Sequence, residues 1–293
     1  MIFKGAMTAM VTPFRNGMVD EEAFRQQIEW QIEQGIDGLV PCGTTGESAT
    51  LSHAEHHEVI KICVDQVKGR VPVLAGAGSN NTKEAVELAR GAKEAGADGA
   101  LLITPYYNKP TQDGLYAHFK AIAEAVPFPY VLYNVPGRTS VNLLPATLGR
   151  IVADLPTVVG VKEATGDIYQ ASQVLECCGR SFQLLSGDDF TVLPLLSVGG
   201  IGAISVVSNV APRLMHDMIA AHATGDATTA MDLHYTMLPL ARAMFLETNP
   251  VPAKTALHLM GQLDHLELRL PMVPLQPANL DKLKATLSQA GLL

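Results

Sequence analysis

Eight short apolar runs, separated by amphipathic helical patterns, recur along roughly the first three quarters of this 293-residue chain. The runs are almost continuously apolar, which is typical of strands buried on both faces of a parallel sheet. The predicted strands are residues 6–13, 38–43, 71–78, 99–105, 130–135, 158–164, 183–187 and 202–207. Eight strand–helix units in about 220 residues predict an α/β fold, a (β/α)8 TIM barrel, rather than an open doubly wound sheet.

Helical patterns fill the intervals between the predicted strands. Ser52 with Glu55, and Asn81 with Glu84, have the spacing of a capping box, in which two side chains bond each other's backbone N–H groups at a helix start. We therefore expect helices to begin directly after Ser52 and Asn81. The patterns cover residues 21–34, 54–68, 82–95, 114–125 and 168–178.

The strand pattern stops after residue 223. Three helical patterns follow, over residues 225–247, 252–263 and 278–290, and proline-containing loops separate them. The sequence thus predicts a barrel domain of residues 1–224 and a C-terminal α-helical extension of residues 225–293.

Composition and charge exclude several classes of function. The chain carries a net charge of −8 and has no run rich in Lys or Arg, so a nucleic-acid or anionic-membrane surface is not expected. Its beginning lacks a signal-peptide pattern, and no apolar stretch is long enough to span a bilayer. Cys42, Cys63, Cys177 and Cys178 lack the paired spacing of metal ligands. We expect a soluble cytoplasmic protein without disulfides or zinc.

Polar residues follow most of the predicted strands. In a TIM barrel, chemistry gathers at the carboxyl ends of the strands. These positions predict one site at that end of the barrel. They are Thr12, residues 43–47, Thr104, Tyr106, Tyr107, Tyr133, Arg138, Lys162, Gly187, Asp188, Ile204 and Ser205.

Lys162 lies near the end of an apolar strand, where a charged ammonium is costly to bury. Enzymes use that cost to produce a neutral amine that attacks carbonyl groups. The alternative is a structural lysine paired with Glu163 or another acid. A tyrosine, a hydroxyl-rich turn and an arginine at the same barrel end favour the nucleophile.

The turn at residues 43–47, Gly-Thr-Thr-Gly-Glu, offers two hydroxyls and flexible backbone N–H groups. Such a turn can bind a carboxylate or phosphate, although an ordinary strand-to-helix turn has the same composition. Tyr133 has a proton to relay, and Arg138 can clamp a carboxylate. A partly buried tyrosine and a surface arginine explain that pair equally well.

Three histidines near one helix start, His53, His56 and His57, raise the question of a metal. The His-Glu-x-x-His order of zinc proteases is absent. A solvated helix start or an interface is the better interpretation, and we predict no metal site.

These residues also carry a resemblance. The chain resembles the pyruvate-dependent class I aldolase family that includes N-acetylneuraminate lyase, over essentially its whole length. The resemblance implies a TIM barrel and no metal or organic cofactor, because the enzyme's lysine forms the Schiff base. The matching motifs are residues 43–47, 133–139, 160–167, 185–189 and 249–254.

The resemblance assigns roles residue by residue. Lys162 would form the Schiff base with pyruvate, and Tyr133 would relay protons through Thr44 to Tyr107 of the neighbouring subunit. The other matching residues would bind substrate: Thr45 the pyruvate carboxylate, Arg138 the carboxylate of the aldehyde, and Gly187 and Ile204 the pocket wall.

Arg138 separates the members of this family. Members that use a sugar-derived 2-keto acid have hydroxyl-binding residues instead, whereas a short carboxylate-bearing aldehyde needs a cation. The resemblance therefore implies condensation of pyruvate with L-aspartate 4-semialdehyde to 4-hydroxy-tetrahydrodipicolinate, in lysine and diaminopimelate synthesis. The alternatives are a sugar-acid aldolase and a non-catalytic sensor of a keto acid or lysine.

The resemblance also implies regulation and assembly. Lysine-inhibited members bind L-lysine at a dimer interface, and His56 is retained here where insensitive members often carry a basic residue. We expect L-lysine inhibition and a homotetramer, a dimer of dimers. The matching effector positions are Ser48, Ala49, His53, His56, Asn80, Glu84 and Tyr106. A capping role with Asn81 is the alternative for Glu84.

Overall fold

In the computed structural model, which describes residues 2–293, eight parallel strands pair in chain order around a ring. The pairing runs β2-β1-β8-β7-β6-β5-β4-β3, and a single bridge between Leu39 and Val73 joins the two ends. The strands are β1 (Gly5–Ala9), β2 (Gly38–Val40), β3 (Leu74–Gly76), β4 (Gly99–Ile103), β5 (Tyr130–Asn134), β6 (Val158–Glu163), β7 (Gln183–Ser186) and β8 (Gly202–Ser205). The predicted barrel is confirmed.

All eight strands end one to four residues before the predicted boundary, because the chain turns into the loops that carry the polar residues. Two short strands, Phe14–Arg15 and Met18–Val19, form a hairpin after β1 that was not predicted. An apolar run in the sequence therefore extends past the end of its strand wherever the first loop residues are also apolar or small.

Among the described residues, α-helices separate the barrel strands and continue beyond them. The named helical patterns are confirmed to within two residues inside the barrel. The helices are α1 (Glu21–Glu33), α2 (His53–Val67), α3 (Thr82–Glu94), α4 (Gln112–Ala125), α5 (Pro136–Thr139), α6 (Pro145–Asp154), α7 (Ile168–Cys178), α8 (Val192–Ser197), α9 (Pro212–Ala223), α10 (Ala227–Met244), α11 (Val251–Leu259) and α12 (Pro277–Gln289).

Only one of the two predicted capping boxes forms. Ser52 and Glu55 exchange side-chain and backbone bonds at the start of α2. At α3, the Asn81 backbone N–H donates to Ser79 Oγ at 3.0 Å, which leaves no role there for Glu84. The Glu84 carboxylate instead bonds the Ser79 hydroxyl and His53, so the capping alternative for Glu84 is wrong.

Two apolar clusters hold the barrel together. The larger one lies between strands and helices, and the smaller one fills the barrel interior with residues such as Phe3, Met7, Leu74 and Leu185. Tyr133 and Ile204 form part of the inner cluster at the carboxyl end. Close packing at that level fixes the site residues on rigid strands.

Helices α10–α12 follow the barrel, as predicted. The predicted domain boundary at residues 224/225 falls between α9 and α10, and the division into two domains stays a prediction. Within residues 2–293, no helix is both long and apolar enough to cross a membrane.

Candidate active site

A cavity of about 290 Å³ opens at the carboxyl ends of the barrel strands. Side chains from β5, β6 and the loops after β2 and β7 meet there, although they are far apart in the sequence. Its lining includes Thr44, Thr45, Tyr133, Arg138, Lys162, Gly187 and Asn249. The structure therefore brings together five of the predicted catalytic and substrate-binding residues with the nucleophile candidate.

Lys162 lies deep in this cavity, with only 6% of the residue exposed. It pairs in register with Tyr133 on β5, and its Nζ lies 4.2 Å from the centroid of the Tyr133 ring. Glu163 does not neutralise it, because that carboxylate accepts bonds from Thr165 N and Gln170 Nε2. Among the described residues Lys162 makes no ion pair, so the alternative of a structural lysine paired with an acid is wrong.

Burial lowers the pKa of Lys162 to about 7. That pKa is the net result of burial, of the negative charge of Asp189, which raises it, and of the positive charge of Arg138, which lowers it. A substantial fraction of the amine is consequently neutral near pH 7, which is the form that attacks a carbonyl.

Asp189 is a residue for which the sequence suggested no role. It is buried after β7, and its Oδ2 accepts the backbone N–H groups of Val206 and Val207 at 3.0 and 3.1 Å. Oδ1 is buried without a partner. Burial raises the pKa of this carboxyl against those hydrogen bonds. In the sequence, Asp189 is distinguished only as the second of two consecutive acidic residues that follow Gly187.

Tyr133 can donate a proton but does not lose it at neutral pH. Burial raises the pKa of its phenol to about 12, while Arg138 and the Thr44 hydroxyl oppose that rise. The ring lies beside the Lys162 amine and belongs to the inner cluster. The protonated phenol is suited to general acid chemistry next to Lys162.

The turn at residues 43–47 forms a compact loop above β2. Gly46 N donates to Gly43 O at 3.1 Å, and Thr12 Oγ1 donates to Gly46 O at 2.7 Å. Glu47 closes the turn in the left-handed region, with φ 52°. Thr45 is buried, and its Oγ1 accepts a bond from Asn249 Nδ2 at 2.9 Å.

Arg138 is an exposed residue at the mouth of the cavity. Its Nη2 donates to the Asn249 carbonyl at 3.4 Å, which holds the guanidinium towards the opening. A fixed cation at an entrance suits a substrate with a free carboxylate.

Gly187 leaves space that the Lys162 side chain occupies. A Cβ at this position would lie 2.8 Å from Lys162 Cγ, closer than real side chains approach. Ile204 is buried on β8 in the same inner cluster as Tyr133. Gly187 lines the cavity, whereas Ile204 packs in the inner cluster and is not among the lining residues, so its role as a pocket wall stays a prediction.

Tyr107 is not part of the cavity within one chain. It is 89% exposed, and its backbone is in the left-handed region with φ 72°. The predicted role of Tyr107 in the site of a neighbouring subunit stays a prediction.

A second cavity of about 450 Å³ adjoins the first, and Thr44, Tyr133 and Arg138 border both. Six of the seven effector positions line it: Ser48, Ala49, His53, His56, Glu84 and Tyr106. Asn80 is not among the lining residues, but its Nδ2 donates to the carbonyl of Tyr106 at 3.1 Å. Burial lowers the pKa of His56 to about 4, so this ring is neutral at physiological pH.

No group of three or more His, Cys, Asp or Glu side chains is placed to hold a metal ion within residues 2–293. His53 bonds Glu84 at 2.9 Å, His56 is buried and His57 is exposed. The absence of a metal and of an organic cofactor stays a prediction.

Comparison with known proteins identifies relatives of the whole chain. The model of the dihydrodipicolinate synthetase family matches residues 2–290. The 4-hydroxy-tetrahydrodipicolinate synthase of Nitratidesulfovibrio vulgaris is 68% identical over 293 residues, which is 100% of both chains.

Two solved structures are similar along the same length. The dihydrodipicolinate synthase of Acinetobacter baumannii, in complex with pyruvate, is 44% identical with a TM-score of 0.97 and 100% of both chains covered. The enzyme of Cyanidioschyzon merolae with lysine bound is 39% identical with a TM-score of 0.96, covering 100% of this chain and 99% of that one.

Proposed function

The chain belongs to the dihydrodipicolinate synthetase family, and on that premise we propose that it condenses pyruvate with L-aspartate 4-semialdehyde to 4-hydroxy-tetrahydrodipicolinate. The observation that carries the proposal is the unpaired Lys162, with its pKa lowered to about 7 beside Tyr133. The neighbouring Arg138 supplies the cation that a carboxylate-bearing aldehyde requires.

The first step is Schiff-base formation. The neutral Lys162 amine attacks the C2 carbonyl of pyruvate, and the resulting carbinolamine loses water to give an iminium ion. Tyr133 is placed to protonate the leaving hydroxyl, because its pKa near 12 keeps the phenol protonated. Thr45 would hold the pyruvate carboxylate with its hydroxyl.

Carbon–carbon bond formation follows. Loss of a proton from the pyruvate methyl group converts the iminium into an enamine, whose carbon attacks the aldehyde held by Arg138. The amine of the second substrate then attacks the same C2 and displaces Lys162, which closes the ring. Overall one water is released, and the Lys162 amine is regenerated.

Proton transfer requires a route away from Tyr133. Thr44 lies beside the phenol and borders both cavities. We propose that Thr44 links Tyr133 to Tyr107 of a neighbouring subunit, which accounts for the exposure of Tyr107 in the single chain. General acid–base help of this kind contributes about 10²–10⁴-fold in rate.

Borohydride trapping tests the mechanism. Reduction in the presence of pyruvate should add one reduced pyruvate unit to Lys162, found by mass spectrometry of the peptide. An unmodified lysine in an enzyme that turns over would contradict it.

Arg138→Ala should raise KM for the semialdehyde and leave trapping with pyruvate possible. A semialdehyde reaction indifferent to Arg138→Ala would instead favour an aldolase for a sugar-derived 2-keto acid.

We further propose that L-lysine inhibits the enzyme from the second cavity. The Glu84 carboxylate suits the ammonium of lysine, and the neutral His56 leaves room that a basic residue would fill. The related enzyme of Cyanidioschyzon merolae binds lysine. Glu84→Gln and His56→Lys should each weaken inhibition without changing KM for pyruvate, and unchanged inhibition in both would reject this site.

The homotetramer and the cytoplasmic location stay predictions. Tyr107, Tyr169 and Tyr235 carry exposed rings in the single chain, which assembly would bury. Mass measurement in solution by light scattering gives the oligomeric state directly.

A further inference from the structure

Two motifs that lie about 200 residues apart meet beside the cavity. The segment of residues 249–254 packs against the turn of residues 43–47 at two points. Asn249 Nδ2 donates to Thr45 Oγ1 at 2.9 Å, and Lys254 Nζ donates to Glu47 Oε1 at 2.6 Å. All four side chains are buried. The catalytic steps proposed for Lys162 and Tyr133 give no role to residues 249–254.

The direction of the Asn249 bond determines where the Thr45 proton points. A hydroxyl has one proton to donate and two lone pairs that accept. The Asn249 amide donates to one of the lone pairs of Thr45 Oγ1. The hydroxyl of Thr45 is therefore free to donate its own proton to a group in the cavity. A carboxylate has only accepting oxygens and needs such a donor.

We propose that Asn249 is a positioning residue that orients the Thr45 hydroxyl as a donor to the carboxylate of the 2-keto acid. Among the described residues, the side-chain amide of Asn249 hydrogen-bonds to Thr45 alone, because its Oδ1 is buried without a partner. The backbone of Asn249 acts separately, since its carbonyl accepts from Arg138 Nη2. Side-chain changes therefore affect Thr45 and leave the Arg138 contact in place.

A buried ion pair fixes Asn249 relative to Thr45. Lys254 is fully buried on α11 and reaches Glu47, which directly follows the Thr45–Gly46 step in the turn. Glu47 Oε2 also accepts from Arg269 N at 3.2 Å. Helix α11 and the loop that follows it thus hold the turn in place.

The inference rests on the proposed function, and the experiment separates the two. The measurement is the pyruvate concentration that gives half-maximal borohydride trapping of Lys162, which needs no aldehyde. Absence of any adduct in the wild-type enzyme would overturn the proposed function and the inference with it. Steady-state KM values for both substrates are measured alongside.

Asn249→Ala and Asn249→Asp are the test variants. Asn249→Ala should raise half-saturation by pyruvate about five- to tenfold, because the Thr45 hydroxyl is no longer oriented. Asn249→Asp should raise it further, on the order of a hundredfold, because a carboxylate takes the Thr45 proton and repels the bound anion. KM for the aldehyde should change less than twofold in Asn249→Ala.

The order of the two variants distinguishes positioning from packing. A merely structural role predicts that the cavity-forming Asn249→Ala is worse than the nearly isosteric Asn249→Asp. If Asn249→Ala does not fold, Asn249→Asp still carries the test. Half-saturation within twofold of wild type in the folded variants would overturn the inference.

Gln27→Ala is the matched control. Gln27 is also a buried amide with an unpartnered oxygen, and its Nε2 donates to Gln262 O at 2.9 Å in the C-terminal segment. This variant should lower stability and leave half-saturation unchanged. In a Thr45→Val background, Asn249→Ala should add nothing, whereas a full additional loss would show that Asn249 does not act through Thr45.

Discussion

Lys162 has reactive chemistry because three neighbours, Arg138, Asp189 and Tyr133, act on one largely buried amine. Burial and Arg138 both lower its pKa, and Asp189 restrains that effect. Tyr133 contributes a ring against the amine and a phenol that keeps its proton. The two groups therefore hold complementary protonation states at neutral pH, one as nucleophile and one as acid.

The pH dependence of Schiff-base formation should follow the Lys162 amine. The neutral form predominates above its pKa, so the trapping rate at low pyruvate should rise with pH and level off above about 7. Arg138→Ala removes a charge that lowers this pKa, and the midpoint should move to higher pH. Asp189→Asn removes a charge that raises it, and the midpoint should move lower. Shifts in the same direction for both variants would contradict the assignment.

Lys162→Met should abolish activity and stabilise the fold. Because the pKa of Lys162 falls from 10.5 to about 7 on folding, the unfolded chain binds more protons between these values. The penalty is full below pH 7 and disappears as pH rises towards 10.5. We expect a gain on the order of 4 kcal/mol at pH 7 in urea unfolding, shrinking with rising pH. The exposed Lys61→Met serves as control and should change stability by less than about 0.5 kcal/mol.

At the scale of elements, the turn of residues 43–47 is held by parts of the chain distant in sequence. Its backbone closes locally, but Asn249, Lys254 and Arg269 fix it from the C-terminal segment. Local signals were enough to place the turn after β2 and to identify the Ser52 cap. They were not enough for Glu84, because Ser79 takes the backbone N–H that a capping box would use.

Breaking the Lys254–Glu47 pair should be costly. Lys254→Met leaves the Glu47 carboxylate buried without its cation, and we expect a loss of about 3–5 kcal/mol in urea unfolding. The double variant Lys254→Met with Glu47→Gln removes both charges and should recover part of that loss. Asp113→Asn breaks the exposed pair with Arg150 and should cost less than about 1 kcal/mol. A double variant that loses the sum of its single variants would argue against charge burial as the cause.

At the scale of the whole molecule, one chain carries a cavity that lacks one predicted member of its proton relay. Tyr107 projects into solvent, while Thr44 borders both the active-site cavity and the second cavity. A contact with another chain at Tyr106 and Tyr107 would therefore act on both cavities at once. Catalysis and lysine inhibition would then depend on the same interface.

Mixed assemblies test whether Tyr107 acts across that interface. Lys162→Met and Tyr107→Ala chains, co-expressed with different tags and purified as hybrids, should regain activity. The Tyr107→Ala chain keeps its Lys162, and the other chain supplies Tyr107. If Tyr107 served its own chain, both sites would remain inactive in the hybrid. Each variant purified alone is the control and should show a strongly reduced rate.

Sequence patterns alone predicted the barrel, the order of its elements and the end at which polar residues collect. Those features follow from local apolar patterns and from the topology of parallel strands, which depend on near neighbours in the chain. The folded chain was needed to show that Lys162 is unpaired and that Asp189 influences its pKa. It was also needed to show that Asn249 and Lys254 contact Thr45 and Glu47, which lie 204 and 207 residues away. Such contacts, and the pKa shifts they cause, depend on burial and distance in the packed molecule, which no local pattern encodes.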